Sequence, residues 1–226
     1  QGILALSPRW TLPARNLSNL SYTEAAELAL FSQPMLHPFA VEPLRETGIP
    51  MNLRALHNPE DNGTIIGPSI RIEKPIVRAV GCIPHQVQFS WSISNAISLT
   101  ECVTDVMSAL ARARIRVSSI RAQPGHVRLL ISSRMAARAR RILADQPSLP
   151  TPEIGDSLSI LCFVGEGIGE DESVRYNITE HADSSGIDLY FNNQEKRDHA
   201  IHAIVPANQT ERALQALCSA LDLLSQ

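Results

Sequence analysis

Two stretches of this chain run through the same succession of hydrophobic periods, and that repetition limits the possible folds more than any other feature. From about Arg78 to Gln146, Val87, Phe89, Trp91 and Ile93 alternate as one face of a half-buried strand does. Ser98 with Glu101 then forms a capping box, opening a helix on which Leu99, Val103, Val106, Met107 and Leu110 share one face. Two strand-like runs, Ile115 to Ile120 and Val127 to Ser132, precede an Arg- and Ala-rich helix from about Met135 to Ala144. A connector with three prolines, Gln146 to Asp156, separates this block from the next. The order then returns: Leu158 to Val164 as strand, Asp171 to about Ala182 as helix, and Ile187 to Phe191 and Ala200 to Val205 as strands. A last helix is expected to be capped by Asn208, with Glu211 at the capping-box position, and to run through Leu224. Two β-α-β-β-α units predict two small α+β sandwiches, each an antiparallel sheet with helices on one face.

Composition supports a globular, water-exposed chain. Of 226 residues, 44% are hydrophobic, enough for a sizeable core. No apolar run approaches the roughly 18 to 20 residues that span a bilayer, and the N-terminus lacks a signal-peptide pattern, so a cytoplasmic location without membrane contact is expected. The first residue is Gln1, which suggests a start inside a longer reading frame. Cys82, Cys102, Cys162 and Cys218 form no Cys-x-x-Cys pair, so reduced, buried thiols are expected and no metal site.

The net charge of −3 conceals a division. Nine arginines and no acid lie between Arg112 and Arg141, whereas acids outnumber bases from Glu153 onward. The arginine belt has no lysine and no aromatic residue for stacking, so attraction between neighbouring domains or subunits ranks well above nucleic-acid binding.

Before the repeats, Ser21 and Glu24 form another capping box, and the helix they open is expected to reach about Phe31. Pro34 and Pro38 interrupt it, and a short helix near Ala40 to Glu46 ends at Gly48. The block runs Ser21-Tyr22-Thr23-Glu24-Ala25-Ala26-Glu27-Leu28, Phe31-Ser32-Gln33-Pro34-Met35-Leu36-His37-Pro38, Gly48-Ile49-Pro50 and Asn58-Pro59-Glu60-Asp61-Asn62-Gly63-Thr64. This order of motifs resembles the C-terminal end of the catalytic domain of aspartate kinases, which pass the ATP γ-phosphoryl group to the side chain of aspartate.

The resemblance implies an α+β architecture: the end of an α/β amino-acid kinase domain (1–70) followed by two ferredoxin-like ACT domains of βαββαβ type (75–147 and 155–226). Val164-Gly165-Glu166-Gly167 resembles the glycine turn of the second ACT unit, and Gly186-Ile187-Asp188-Leu189 its Gly-Ile-Asn-Ile. ACT pairs bind amino-acid end products, which implies feedback control of the pathway to lysine, threonine and methionine. A lysine or threonine effector is expected at Asn95, Ala96, Ile97, Ser98 and Leu99, at Val117 and Ser118, and at Ile187 and Asp188. Pairing of ACT domains implies a homodimer or a higher oligomer.

Several positions depart from the family. Gly2-Ile3-Leu4-Ala5-Leu6-Ser7-Pro8-Arg9 is similar to its Gly-Ile-Tyr-Thr-x-Asp-Pro-Arg loop beside the nucleotide, with Leu4 for Tyr and Ser7 for Asp. Ser7, Pro8 and Arg9 are the candidate nucleotide contacts. Pro34 stands where the family has a phosphate-facing lysine, and Ser118 where it has an aspartate. The intact enzyme would use ATP with Mg2+. This stretch carries no expected catalytic residue, so alone it should neither transfer phosphate nor hold a cofactor. A second reading is a regulatory or assembly protein whose nucleotide site has decayed.

Overall fold

The structure, a computed structural model, describes residues 2–31, 36–58, 60–69, 76–93, 98–192 and 199–225. The chain divides into two compact units, Gln1–Ile83 with Ile160–Gln226, and Pro84–Ser159. The element order contains the expected β-α-β-β-α succession twice. The first consists of β4 (Ala79–Ser92), α3 (Leu99–Arg112), β5 (Val117–Gln123), β6 (His126–Ser132) and α4 (Ser133–Ala144). The second consists of β7 (Glu153–Val164), α5 (Glu172–Ser184), β8 (Tyr190–Phe191), β9 (Ala200–Pro206) and α6 (Thr210–Ala220). The fold is therefore mixed α+β.

In the unit Pro84–Ser159, β6 pairs antiparallel with β5 on one side and with β4 on the other, from Gln86↔Ser132 to Ser92↔His126. Phe89 and Trp91 enter an apolar core with Val106 and Leu110 of α3, Leu129 and Ile131 of β6, and Ala139 and Leu143 of α4. The Trp91 indole, buried to 1% exposure, donates to the Pro150 carbonyl at 3.0 Å, which satisfies the one polar group that burial would strand. The Ser98–Glu101 capping box forms in both directions.

The other unit opens with β1 (Asn19–Ser21) and α1 (Tyr22–Phe31), followed by α2 (Pro38–Thr47), β2 (Met51–Leu53) and β3 (Thr64–Gly67). β3 is central, parallel to β1 and antiparallel to β2. The Ser21–Glu24 capping box starts α1, and Gly48, at φ +69°, closes α2 in the left-handed conformation glycine adopts without strain. Leu20, Ala25, Leu28 and Ile66 share a core with Leu161, Phe163, Ile178, Ile201 and Leu217 of β7, α5, β9 and α6.

Several boundaries differ from the sequence expectation, among them the end of the last helix, at Ala220 and not Leu224. The connector is shorter, because β7 begins at Glu153 immediately after the last proline. β8 holds only Tyr190 and Phe191, since the Ile187 amide is used by the Ala182 carbonyl at the end of α5. Asn208 caps nothing: it lies in a 3-10 turn, Ala207–Gln209, that delays the α-helix to Thr210.

Candidate functional site

The loop expected beside the nucleotide is held by its own chain. Gly2 packs so closely on Thr64 that a Cβ would overlap the threonine hydroxyl, while that hydroxyl accepts from the Ile3 amide (2.7 Å) and donates to the Leu17 carbonyl (2.6 Å). Gly63, at φ +65°, passes so near the Leu53 carbonyl that any side chain would collide with it. The Gly63-Thr64 and Gly2-Ile3 motifs are thus two halves of one lock. Beyond it, Leu6 bridges Val80, and the Val80 amide donates to the Ala5 carbonyl at 2.7 Å.

Ser7, Pro8 and Arg9 stand together at the end of this segment, in a 3-10 turn closed by Thr11 in the left-handed region. Ser7 is buried at 4% exposure, and Pro8 offers no backbone donor. Arg9 donates to the Cys82 carbonyl, and its guanidinium lies 5.1 Å from the Trp10 ring centroid, a cation–π distance. The cation of this trio is thus engaged on its own protein, and its hydroxyl-bearing residue is buried. Burial also pushes the Cys82 thiol up to about 12, so it stays protonated and unreactive. All four cysteines are buried and free of disulfides. His37 caps α2, its Nδ1 accepting from the Phe39 amide at 3.3 Å, which gives it a structural task. Pro34 lies outside the described residues.

The effector candidates fall into two groups. In the unit Pro84–Ser159, Ser98 and Leu99 sit at the N-terminus of α3, and Val117 and Ser118 open β5. The register slips between Val117↔Ile131 and Ser119↔Leu130, so Ser118 is the extra residue of a β-bulge. Asn95, Ala96 and Ile97 lie outside the described residues. In the other unit, Ile187 is buried, and Asp188 interlocks with Gln209: the Asp188 amide donates to Oε1 (2.8 Å), and Nε2 donates back to the Asp188 carboxylate (2.7 Å). Arg212 donates to the Ser185 and Gly186 carbonyls, closing the same edge.

Sequence spacing gave no hint of a third group, a buried polar network in the first unit. Glu24, fully buried, accepts from the Ser21 amide (2.9 Å) and from Arg78 (3.2 Å), whose other nitrogen binds the Asn19 backbone and side-chain oxygens at 2.6 and 2.5 Å. Desolvation raises the Glu24 carboxyl above its ordinary value. The Ser21 amide and the Arg78 charge oppose that rise, and the nearby Glu166 charge adds to it. Burial prevails although an ion pair is present. Glu166 belongs to the glycine turn and pairs with His199 at 2.9 Å. At Gly165 a Cβ would strike the Ile76 carbonyl, so this turn tolerates no side chain there. The network therefore joins α1 to the strand–helix turn after β7.

No protein-family profile matches the chain. A bifunctional aspartokinase/homoserine dehydrogenase of Haemophilus influenzae is 25% identical over 97% of the chain, which spans 28% of that relative's length. Among solved structures, Escherichia coli aspartokinase III in complex with aspartate and ADP superposes with a TM-score of 0.81 at 22% identity, over 98% of this chain and 50% of that one. The same enzyme in complex with lysine and aspartate gives 0.79 at 22% identity, over 97% and 49%. The regulatory subunit of Thermus thermophilus aspartate kinase, at 20% identity and a TM-score of 0.52, matches 64% of this chain with 97% of its own. Along nearly its full length the chain is similar in sequence to aspartokinases, and its fold matches theirs over about half of their length.

Proposed function

We propose that the chain is the regulatory portion of an ATP:L-aspartate 4-phosphotransferase, with residues 1–70 closing the catalytic domain and 75–147 and 155–226 forming two ACT-like domains. The observation that carries this reading is the network in which Glu24 meets both Arg78 and Glu166. It ties the helix of the kinase-end block to the glycine turn of the last repeat, as a route for effector state to reach the catalytic side requires. The effector is lysine or threonine, by analogy with the lysine complex of the E. coli enzyme. The parent uses ATP with Mg2+, in line with the ADP complex of the same enzyme. The ACT-like domains mediate a homodimer or a higher oligomer. Alone, this chain transfers no phosphoryl group.

Isothermal titration with lysine, threonine and methionine tests the reading. Saturable binding of one of them, strengthened in Ser118→Asp by the restored carboxylate, is expected. Silence with all three, in both proteins, would move the assignment to the second reading, an assembly protein without effector sensing. That reading draws support from Arg9, engaged on Cys82, and from Asp188, interlocked with Gln209. Formation of aspartyl phosphate by the isolated chain would contradict both.

A further inference from the structure

Three side chains of different chemistry meet inside the first unit, and the kinase and effector readings use none of them. Glu27 lies on α1, Cys162 on β7 and His202 on β9, and one ligand-capable atom of each falls within 4.8 Å of the other two. Cys162 is fully buried, whereas His202 and Glu27 keep 12% and 16% side-chain exposure. The His202 ring packs on Phe31 with centroids 4.6 Å apart, and its Nε2 faces Glu27 Oε2 at 3.9 Å.

We propose that Glu27, Cys162 and His202 bind a zinc ion, with water in the fourth position. Thiolate, imidazole and carboxylate together form a donor set that zinc accepts, while Mg2+ and Ca2+ select oxygen alone. Zinc bonds of about 2.0 to 2.3 Å place tetrahedral neighbours roughly 3.3 to 3.7 Å apart, so the three atoms need to close by about an ångström. The torsions of Glu27 allow that movement, and Phe31 already orients the imidazole. The partly exposed edges of Glu27 and His202 give the ion a way in, and ligation releases the Cys162 proton to solvent with no other bond changed. Bound there, zinc clamps α1 to two strands of the sheet. A bare Glu–His pair beside a buried thiol is the competing explanation.

The experiment uses the 226-residue chain stripped with a chelator, then titrated with zinc against a chromophoric competitor and, separately, with cobalt. One zinc per chain, a raised melting temperature and a thiolate-to-cobalt charge-transfer band are expected. Cys162→Ser should abolish the band and weaken zinc binding at least about tenfold, Glu27→Gln should weaken it without removing the band, and Cys102→Ser in the other unit should change neither. Folding of each variant is checked by circular dichroism. Absence of the band in the native chain, or its persistence in folded Cys162→Ser, overturns the proposal; should Cys162→Ser not fold, the native cobalt spectrum decides.

Discussion

The chain uses the same four-residue helix start in both units, and the two copies do different work. Ser98 and Glu101 exchange hydrogen bonds of 3.1 Å at an exposed helix end. Ser21 and Glu24 exchange similar bonds, 2.9 and 3.1 Å, but inside the protein, where Glu24 also holds Arg78. Outside, the motif saves two amides from being unpaired. Inside, it fixes a charge around which distant segments assemble. Identical local signals thus differ in consequence according to burial, because an exposed carboxylate has water as an alternative partner and a buried one does not.

Removing Arg78 should break the contrast most severely. Arg78→Met leaves the Glu24 carboxylate buried without its counter-charge, at a cost of about 3 to 5 kcal/mol. Urea unfolding followed separately through Trp10 and Trp91, the two tryptophans and one per unit, should show the loss at Trp10 alone. Next, Gly63→Ala should cost about 3 kcal/mol, combining left-handed strain with overlap on the Leu53 carbonyl. Gly125→Ala, at φ +87° in open space, should cost only about 1 kcal/mol. Ser98→Ala should cost about 1 kcal/mol, the ordinary worth of a cap, seen at Trp91. The smallest effect is one of pH. The folded-state carboxyl of Glu24 is raised above the ordinary 4.5, so its contribution to stability is full below that value and is lost as pH rises through the folded value. Glu24→Gln removes this dependence. The stability of the native chain relative to that variant should therefore fall as pH rises from about 4.5, whereas Glu101→Gln should show no such trend.

What could be read from the sequence followed the same division. Both capping boxes, the alternation of β4, the terminal Gly48 and most of the apolar stripe of α3 are signals spaced within a few residues and appear where expected; Met107 departs from the stripe and lies exposed, while Cys102 and Ala109 join Val106 and Leu110 on the buried face. Asn208 misled because cap chemistry says where a helix can start, not whether a 3-10 turn precedes it. There the Gln209 side chain leaves the helix end to hold Asp188. The Glu153 start of β7 was hidden because its first five residues are exposed and show no alternation. Arg78 with Glu24, and Glu27 with Cys162 and His202, could not be found by spacing, since folding alone brings such distant positions together.

Thr64 has one hydroxyl, and both of its directions are in use, toward Ile3 and toward Leu17. Removal of one oxygen atom would therefore unzip the segment that presents Ser7, Pro8 and Arg9. The exchange rate of the Ile3 amide proton then becomes a direct clock for how often that leading edge lifts away from its scaffold.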